Sequence, residues 1–187
     1  MIAILEDPLV RHRASPVSVE DYHRLGEFNQ QGRRTELVRG AILEKMPKSP
    51  LHSFVVHKLV ELLRPQVTAD FWLRQEQPLT LADSEPEPDI SVVQGQPVDY
   101  LATHPSSASL VIEVAVTNPA LDREMALVYA EAGVNEYWIV RPQERRVEVY
   151  RSPNAGRYGK PEIHGPTGDI RSESLPVIEV SLEDLWA

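Results

Sequence analysis

The chain has 187 residues, a formal net charge of −9 and no cysteine. This length suits one domain that buries roughly 70% of its unfolded surface, and the lack of cysteine excludes thiol catalysis, disulfides and cysteine-based zinc sites. The acidic charge argues against a broad basic surface that binds nucleic acid by charge alone, so any such contact must be local.

The N-terminal segment shows no pattern of a signal peptide or a membrane anchor. Met1 to Leu5 is apolar, but Glu6 and Asp7 follow it, with no basic region and no long apolar run. We therefore expect a soluble, cytoplasmic protein without a membrane partner. Residues 1–17 are expected to form a loose arm or an edge strand that carries the charged cluster Arg11-His12-Arg13.

Two short elements are predicted before the first long helix. Ser18 is a suitable N-cap for a helix that ends near Gly26. Thr35 to Met46 consists of two β-type runs about a tight turn at Arg39-Gly40, which predicts a hairpin. Glu36 lies on the first strand of this hairpin, where a glutamate ordinarily faces solvent.

The next segment predicts a helix over residues 50–69. Ser49 is a good N-cap, Pro50 is preset for the first helical position, and apolar residues follow at helical spacing. His52 lies in the first turn, near the positive end of the helix dipole, where a neutral imidazole is expected. From its position alone, a surface histidine without a role is the preferred interpretation.

An acidic segment follows two short strands, which are predicted at residues 71–75 and 79–81. Residues 83–89 contain four acids beside prolines, which makes the segment stiff, extended and negative. Most of these acids are expected to be solvated. Asp89 is the exception, because it joins the segment to an apolar strand and is the acid most suited to point inward.

Two carboxylates in apolar strands are the main chemical signal of the sequence. Residues 110–116 read as a central strand buried on both faces, yet Glu113 lies in its middle. An unpaired buried carboxylate costs several kcal/mol, so Glu113 should pair with an arginine, bind a metal or stay neutral. Asp89 begins a second apolar strand after Pro88. If the two strands are neighbours, both carboxylates converge on one point, as a divalent cation requires.

The second half of the chain predicts a strand, a crossover helix and a strand. Residues 94–109 form a long loop, and such loops tend to be functional or disordered. A helix is predicted from Ala120 to Ala132 with Gly133 at its C-cap. The strand at 136–140 should be parallel to that at 110–116, because a helix connects them. The remaining chain predicts a hairpin turn at Pro142-Gln143 with its return strand at 146–150, and then a loop at 152–168. A strand at 178–180 and a helical turn at 182–186 follow, and Trp186 is expected to pack against the rest of the domain.

Five motifs in this order resemble the Uma-two family of putative restriction endonucleases, within the PD-(D/E)XK nuclease superfamily. They are Glu36-Leu37-Val38-Arg39-Gly40, Ser49-Pro50-Leu51-His52, Glu87-Pro88-Asp89, Val111-Ile112-Glu113-Val114 and Tyr129 to Trp138. The resemblance covers roughly residues 20–151. It implies an α/β fold with a mixed α+β sheet and a restriction-endonuclease-like αβββαβ core, with an N-terminal helix and hairpin and a C-terminal hairpin. The expected organisation is a single domain over 1–187, with its core at about 35–151 and a C-terminal extension at 152–187.

The resemblance also implies a function and a site. The function is a Mg²⁺-dependent (or Mn²⁺-dependent) endonuclease that hydrolyses DNA phosphodiester bonds, often as a homodimer. The implied catalytic residues are Glu36, His52, Asp89 and Glu113. Of these, Asp89 and Glu113 would bind the metal, together with the backbone carbonyl of Val114, since Mg²⁺ prefers an octahedral oxygen shell with few protein ligands.

One expected part of the site is replaced. The lysine of these nucleases lies two residues after the glutamate or, in the resembling family, on the following helix. These positions are Ala115 and Met125 here. On the same helix face as Met125 lie Asp122 and Tyr129 rather than a cation. Lys58 or an arginine of the 33–39 segment is a candidate substitute.

Three functions from different classes are therefore open. The first is an active metal-dependent endonuclease. The second is a nuclease fold that binds metal or DNA without cutting, which Ala115 and Met125 favour. The third is a structural homodimer with no role on nucleic acid, which the acidic net charge favours.

Overall fold

The structure is a computed structural model that describes residues 13–26, 32, 34–117 and 119–187. Residues 1–12 of the predicted arm, including Arg11 and His12, lie outside the described residues. None of the helices in the described part of the chain combines the length and the apolar character that crossing a bilayer requires.

The N-terminal helix and hairpin form as predicted. Helix α1 spans Val19–Gly26, and the backbone N–H of Asp21 donates to the Ser18 hydroxyl at 3.1 Å. Strand β1 (Thr35–Val38) pairs antiparallel with β2 (Ala41–Glu44). The turn residues Arg39 and Gly40 have φ values of 49° and 73°, which a tight hairpin turn requires.

Helix α2 is shorter than predicted. It spans Pro50–Leu63, and only a single 3₁₀ turn at Arg64–Gln66 follows, so the predicted end at residue 69 is wrong. Pro65 explains the difference, because proline has no N–H to donate and its ring clashes with the preceding helical turn. At the other end, the Ser49 hydroxyl accepts the N–H of His52 at 3.2 Å, which confirms the predicted cap.

A six-stranded mixed sheet forms the centre of the molecule in the order β3-β4-β5-β6-β7-β8. Its strands are β3 (Phe71–Gln75), β4 (Ile90–Gln94), β5 (Leu110–Val114), β6 (Glu136–Arg141), β7 (Arg146–Arg151) and β8 (Glu162–His164). Strands β5 and β6 are parallel and are connected by helix α3 (Ala120–Glu131), as predicted, whereas the other neighbouring strands are antiparallel. The order α2, β3, β4, β5, α3, β6 is the expected αβββαβ core. The fold is therefore a mixed α+β structure.

Several predicted boundaries need correction. Residues 79–81 are not a strand, because their N–H groups bond to loop carbonyls of Pro86, Pro105 and Ser84 instead of a ladder. The strand at 110–116 ends at Val114, and that predicted at Asp89 begins at Ile90. A 3₁₀ turn at Pro97–Tyr100 shortens the predicted loop at 94–109.

The predicted C-terminal loop at 152–168 contains β8, whose pairing with β7 is a long-range contact without a local sequence signal. Strand β9 (Asp169–Arg171) was not predicted, and it pairs with β10 (Glu179–Ser181), close to the predicted strand at 178–180. Helix α4 (Leu182–Trp186) follows, and Trp186 packs against the core as expected.

Both faces of the sheet are covered, and this determines where Glu113 points. Alternate residues of β5 (Leu110, Ile112 and Val114) pack in the apolar cluster that includes α2. Val111 packs on the other face, in the cluster that includes α3. Since side chains alternate along a strand, Glu113 lies on the α3 side, near the end of β5. Glu113 is therefore in the middle of an apolar run in the sequence but lies near the end of its strand in the structure.

Candidate active site

A cavity of about 290 Å³ lies beside the start of β4 and the end of β5. All four residues predicted from the sequence (Glu36, His52, Asp89 and Glu113) line it. The lining is strongly acidic, with carboxylates at Glu36, Glu44, Glu87, Asp89, Glu113 and Asp122 against two ammonium groups at Lys45 and Lys48. This charge balance favours a cation in the cavity.

Asp89 and Glu113 are joined by hydrogen bonds at one end of the sheet. The antiparallel register pairs Ile90 with Ile112, which places Asp89 opposite Glu113 one step further along. The backbone N–H of Asp89 donates to Glu113 Oε2 at 3.1 Å, and the N–H of Val114 donates to Asp89 Oδ2 at 2.9 Å. Each carboxylate thus accepts a hydrogen bond from the backbone beside the other, and both side chains line the cavity.

Asp89 is kept ionised by the groups that contact its carboxylate. His52 Nε2 lies 2.9 Å from Asp89 Oδ2, and Lys48 Nζ lies 2.9 Å from Asp89 Oδ1. Burial alone would raise the pKa of Asp89, but His52, Lys48 and the N–H of Val114 lower it to about 2. Asp89 is therefore a carboxylate at neutral pH.

Glu113 has the opposite electrostatic environment. Among the described residues, its hydrogen-bond partners are the Asp89 amide and the Tyr129 hydroxyl, which donates to Glu113 Oε1 at 3.1 Å, and not an arginine. Burial first, and the charge of Asp89 second, raise the pKa of Glu113 well above its ordinary value. A divalent cation beside the pair would relieve both causes, because it would interact favourably with the ionised form of each carboxyl group.

His52 lines the cavity, and its side chain is mostly buried rather than on the surface. The Ser49 cap fixes the first turn of α2, and this turn directs the imidazole to Asp89. The carboxylate accepts from Nε2, while Nδ1 is buried and has no hydrogen-bond partner among the described residues. His52 thus orients Asp89 and keeps a second ring nitrogen within the site.

Glu36 and Asp122 complete the acidic wall. Glu36 Oε2 lies 3.6 Å from Lys45 Nζ, which also donates to the Glu87 carbonyl at 2.7 Å. Burial, followed by the charge of Asp89, raises the pKa of Asp122 to about 6. Sequence reasoning noted Asp122 on the helix face of Met125 but did not assign it to the site.

The predicted substitute cations are not those that the cavity contains. Arg34 binds Glu87 at 2.8 Å and Arg39 binds Glu131 at 2.7 Å, and neither they nor Lys58 line the cavity. Arg33 lies outside the described residues. The lysines of the cavity are Lys45 and Lys48, which sequence reasoning missed. One feature of the sequence could have indicated them: both lie in the short connection between β2 and the Ser49 cap. This connection leads directly into the helical turn that carries His52.

The carboxylate oxygens of Asp89 and Glu113 are of the donor type that Mg²⁺ and Mn²⁺ prefer. No group of three or more His, Asp or Glu side chains within the described residues is arranged to hold a metal ion. A metal would therefore depend on the oxygens of Asp89 and Glu113, with the carbonyl of Val114. Such a set of few protein oxygens suits Mg²⁺, which retains several waters in its octahedral shell.

The order of the core elements, α2, β3, β4, β5, α3 and β6, is that of the class of restriction-endonuclease-like folds. The chain belongs to the Uma2 family, whose model is described as "Putative restriction endonuclease" and matches residues 19–183. The crystal structure of a putative nuclease belonging to DUF820 from Anabaena variabilis is similar, with a TM-score of 0.73 and 20% identity. That similarity covers 91% of this chain and 98% of the other. A comparison with curated proteins gives no match.

Proposed function

We propose that this protein is a Mg²⁺-dependent or Mn²⁺-dependent endonuclease that hydrolyses phosphodiester bonds of DNA. The observation that carries the proposal is the contact between Asp89 and Glu113 inside an acidic cavity. Six acidic side chains line the cavity against two lysines, and the ionised ones among them, such as Asp89, would repel a phosphate, so an anionic substrate needs a cation there first. Membership of a family of putative restriction endonucleases supports the same reaction class.

Asp89 and Glu113 would hold the metal, with the carbonyl of Val114 as a third ligand. A bound divalent cation would activate water as a nucleophile and neutralise charge on the phosphate. The protein's own residues prepare this arrangement. His52 and the N–H of Val114 keep Asp89 ionised and fixed, and Tyr129 orients Glu113. Glu36 would orient a water at the edge of the site, since its carboxylate lines the cavity.

The test is cleavage of supercoiled plasmid DNA with Mg²⁺, Mn²⁺ or EDTA. The wild-type protein should nick the plasmid with either metal and not with EDTA. Asp89→Ala should abolish nicking, whereas Glu124→Gln, a control at an exposed position on α3, should not affect it. Nicking that persists in EDTA or in Asp89→Ala would refute the proposal.

A second candidate is a fold that binds metal without cutting. Met125, which is 5% exposed and packs in the α3 cluster, favours it, because a thioether supplies no positive charge to the reaction. Isothermal titration with Mn²⁺ separates the candidates. Heats in the wild type that vanish in Asp89→Ala/Glu113→Ala, without any nicking, would select the binding function. Equal heats from both proteins would remove the metal from both candidates.

The protein is further proposed to act as a homodimer. Met46 and Leu121 line the cavity yet are 83% and 50% exposed, which leaves apolar surface beside the site for a partner or substrate. An acidic chain has few basic surfaces for a duplex, so two half-sites would add their weak contacts. Sedimentation equilibrium at micromolar concentration should give twice 21.1 kDa, and a single 21.1 kDa species would contradict the dimer.

A further inference from the structure

Lys48 places an ammonium group directly in the proposed site. Its Nζ lies 2.9 Å from Asp89 Oδ1 and 2.9 Å from Glu76 Oε1. The residue immediately precedes the Ser49 cap, so its backbone is attached to the fixed start of α2. Its side chain is 21% exposed, which leaves the ammonium accessible from the cavity that it lines.

Glu76 is held in an unusual conformation that supports this placement. Its φ is 52°, in the left-handed region where a residue other than glycine is strained. The N–H of Glu76 donates to the carbonyl of Asp89 at 3.1 Å, which fixes Glu76 beside the start of β4. The carboxylate of Glu76 then meets Lys48. Asp89, which lines the cavity, and Glu76, whose backbone is bonded to that of Asp89, therefore both pair with the ammonium.

Of the two lysines that line the cavity, Lys48 is the one that forms an ion pair with Asp89. Lys45 donates to the Glu87 carbonyl at 2.7 Å and lies between two carboxylates at 3.6 Å. Arg34 is bound to Glu87. Lys48 has two acceptors among the described residues and three N–H groups, so one N–H is available for another oxygen.

We propose that Lys48 is a catalytic cation of this site, which binds the scissile phosphate and stabilises the negative charge that develops there, and that Glu76 is its positioning residue. This inference rests on the proposed function. Hydrolysis forms a bond from the water oxygen to phosphorus and breaks the bond from phosphorus to the leaving ester oxygen. One proton of the water ends on that leaving oxygen and the other in solvent. Lys48 stays protonated and contributes only charge and a hydrogen bond.

The first experiment compares single-turnover nicking of supercoiled plasmid by four proteins in Mn²⁺. Relative to wild type, Lys48→Met should be slower by on the order of 10²–10³-fold, as for the loss of one preorganised contact to developing charge. Lys58→Met, a control on α2 outside the cavity, should be unchanged. Lys45→Met should slow nicking less than Lys48→Met. Equal rates for wild type and Lys48→Met, or a larger loss in Lys45→Met, would overturn the proposal.

The second experiment is an exchange of positions. Met125 lines another wall of the same cavity, so Lys48→Met/Met125→Lys returns an ammonium to the site from α3. The double variant should nick plasmid at least tenfold faster than Lys48→Met. No recovery, with both variants still folded by thermal melt, would mean that Lys48 acts through packing and would overturn the proposal.

Two further readouts separate chemistry from architecture. Isothermal titration should show that Lys48→Met binds Mn²⁺ at least as tightly as wild type, because Lys48 and the metal share Asp89 as a partner. Loss of Mn²⁺ binding in Lys48→Met would make Lys48 structural and overturn the proposal.

Glu76→Gln should slow nicking in the wild type but not further in the Lys48→Met background, since it acts through Lys48. If the wild type nicks no DNA with either metal, the proposed function fails and this inference fails with it. If the wild type nicks but Lys48→Met nicks equally, this inference alone fails.

Discussion

Asp89 and Glu113 are expected to affect the stability of the metal-free protein in opposite directions. Asp89→Asn removes a charge that the fold stabilises, while Glu113→Gln removes one that the fold destabilises. Both substitutions preserve side-chain size and an acceptor oxygen, so differences in packing are small. In each variant an NH2 group replaces one accepting oxygen, so the measured shift combines the loss of the charge with the loss of one accepted hydrogen bond.

The magnitude for Asp89 follows from its pKa. A fall from 3.8 to about 2 corresponds to roughly 2 kcal/mol of stability at neutral pH. For a chain of this size, that is a decrease in Tm of about 4–8 °C in Asp89→Asn. Because the pKa is lower in the folded state, this stabilisation is complete above 3.8 and is lost as the pH falls towards 2. The difference between wild type and Asp89→Asn should thus be smaller at pH 3 than at pH 7.

The sign for Glu113 is reversed. Burial and Asp89 raise its pKa in the folded state, so ionisation of Glu113 costs stability as the pH rises through its ordinary value and beyond. Glu113→Gln should consequently raise Tm at pH 7 and have little effect below pH 4. Millimolar Mg²⁺ should raise the Tm of wild type but not of Glu113→Gln, because only the wild type retains both ligands.

Thermal melts of the two variants in EDTA and in Mg²⁺ test this, with Glu124→Gln as the control for loss of an exposed carboxylate. Shifts of the same sign for Asp89→Asn and Glu113→Gln would refute the electrostatic account. Shifts no larger than that of the control would also refute it.

Three other variants test the surroundings of the pair. Asp122→Asn should raise Tm at pH 7.5 but not at pH 4, because a pKa raised from 3.8 to about 6 costs the ionised form up to ~3 kcal/mol; a pH-independent shift would contradict this. Ser49→Ala should lower stability by about 1 kcal/mol through loss of the α2 cap, measured by urea denaturation, and an unchanged midpoint would show that the cap is dispensable. Tyr129→Phe should weaken Mn²⁺ binding in calorimetry by freeing Glu113 from its orienting hydroxyl, and wild-type affinity would exclude that role.

The order of the core elements could be predicted because each carries a local signal. The Ser49-Pro50 start of α2 and the Gly133 end of α3 are stereochemical requirements, and Gly133 has the expected positive φ of 73°. The parallel pairing of β5 and β6 follows from the helix that connects them. The position of Glu113 relative to Asp89 follows from the antiparallel register of β4 and β5. From the sequence, this proximity could be expected only if the two strands are neighbours.

The features that sequence reasoning missed depend on distant partners. Residues 79–81 have the composition of a strand, but their N–H groups bond to loop carbonyls, which periodicity does not register. Strand β8 exists because the edge of β7 is available to it. Lys45 and Lys48 lie in a connection without periodicity, and a long flexible side chain there has no preferred direction in the sequence.

The exchange of Met125 and Lys48 has a physical rationale in the proposed arrangement. Position 125 is 5% exposed in an apolar cluster, where an ammonium would lose most of its hydration. Lys48 is 21% exposed and pairs with two carboxylates, so the same charge is held at a smaller desolvation cost. Methionine at 125 then adds apolar contact beside Tyr129, which orients Glu113. A phosphate responds to the location of the charge and not to the element that carries it. In the proposed arrangement, the connection before α2 supplies through Lys48 the positive charge that position 125 on α3 does not carry.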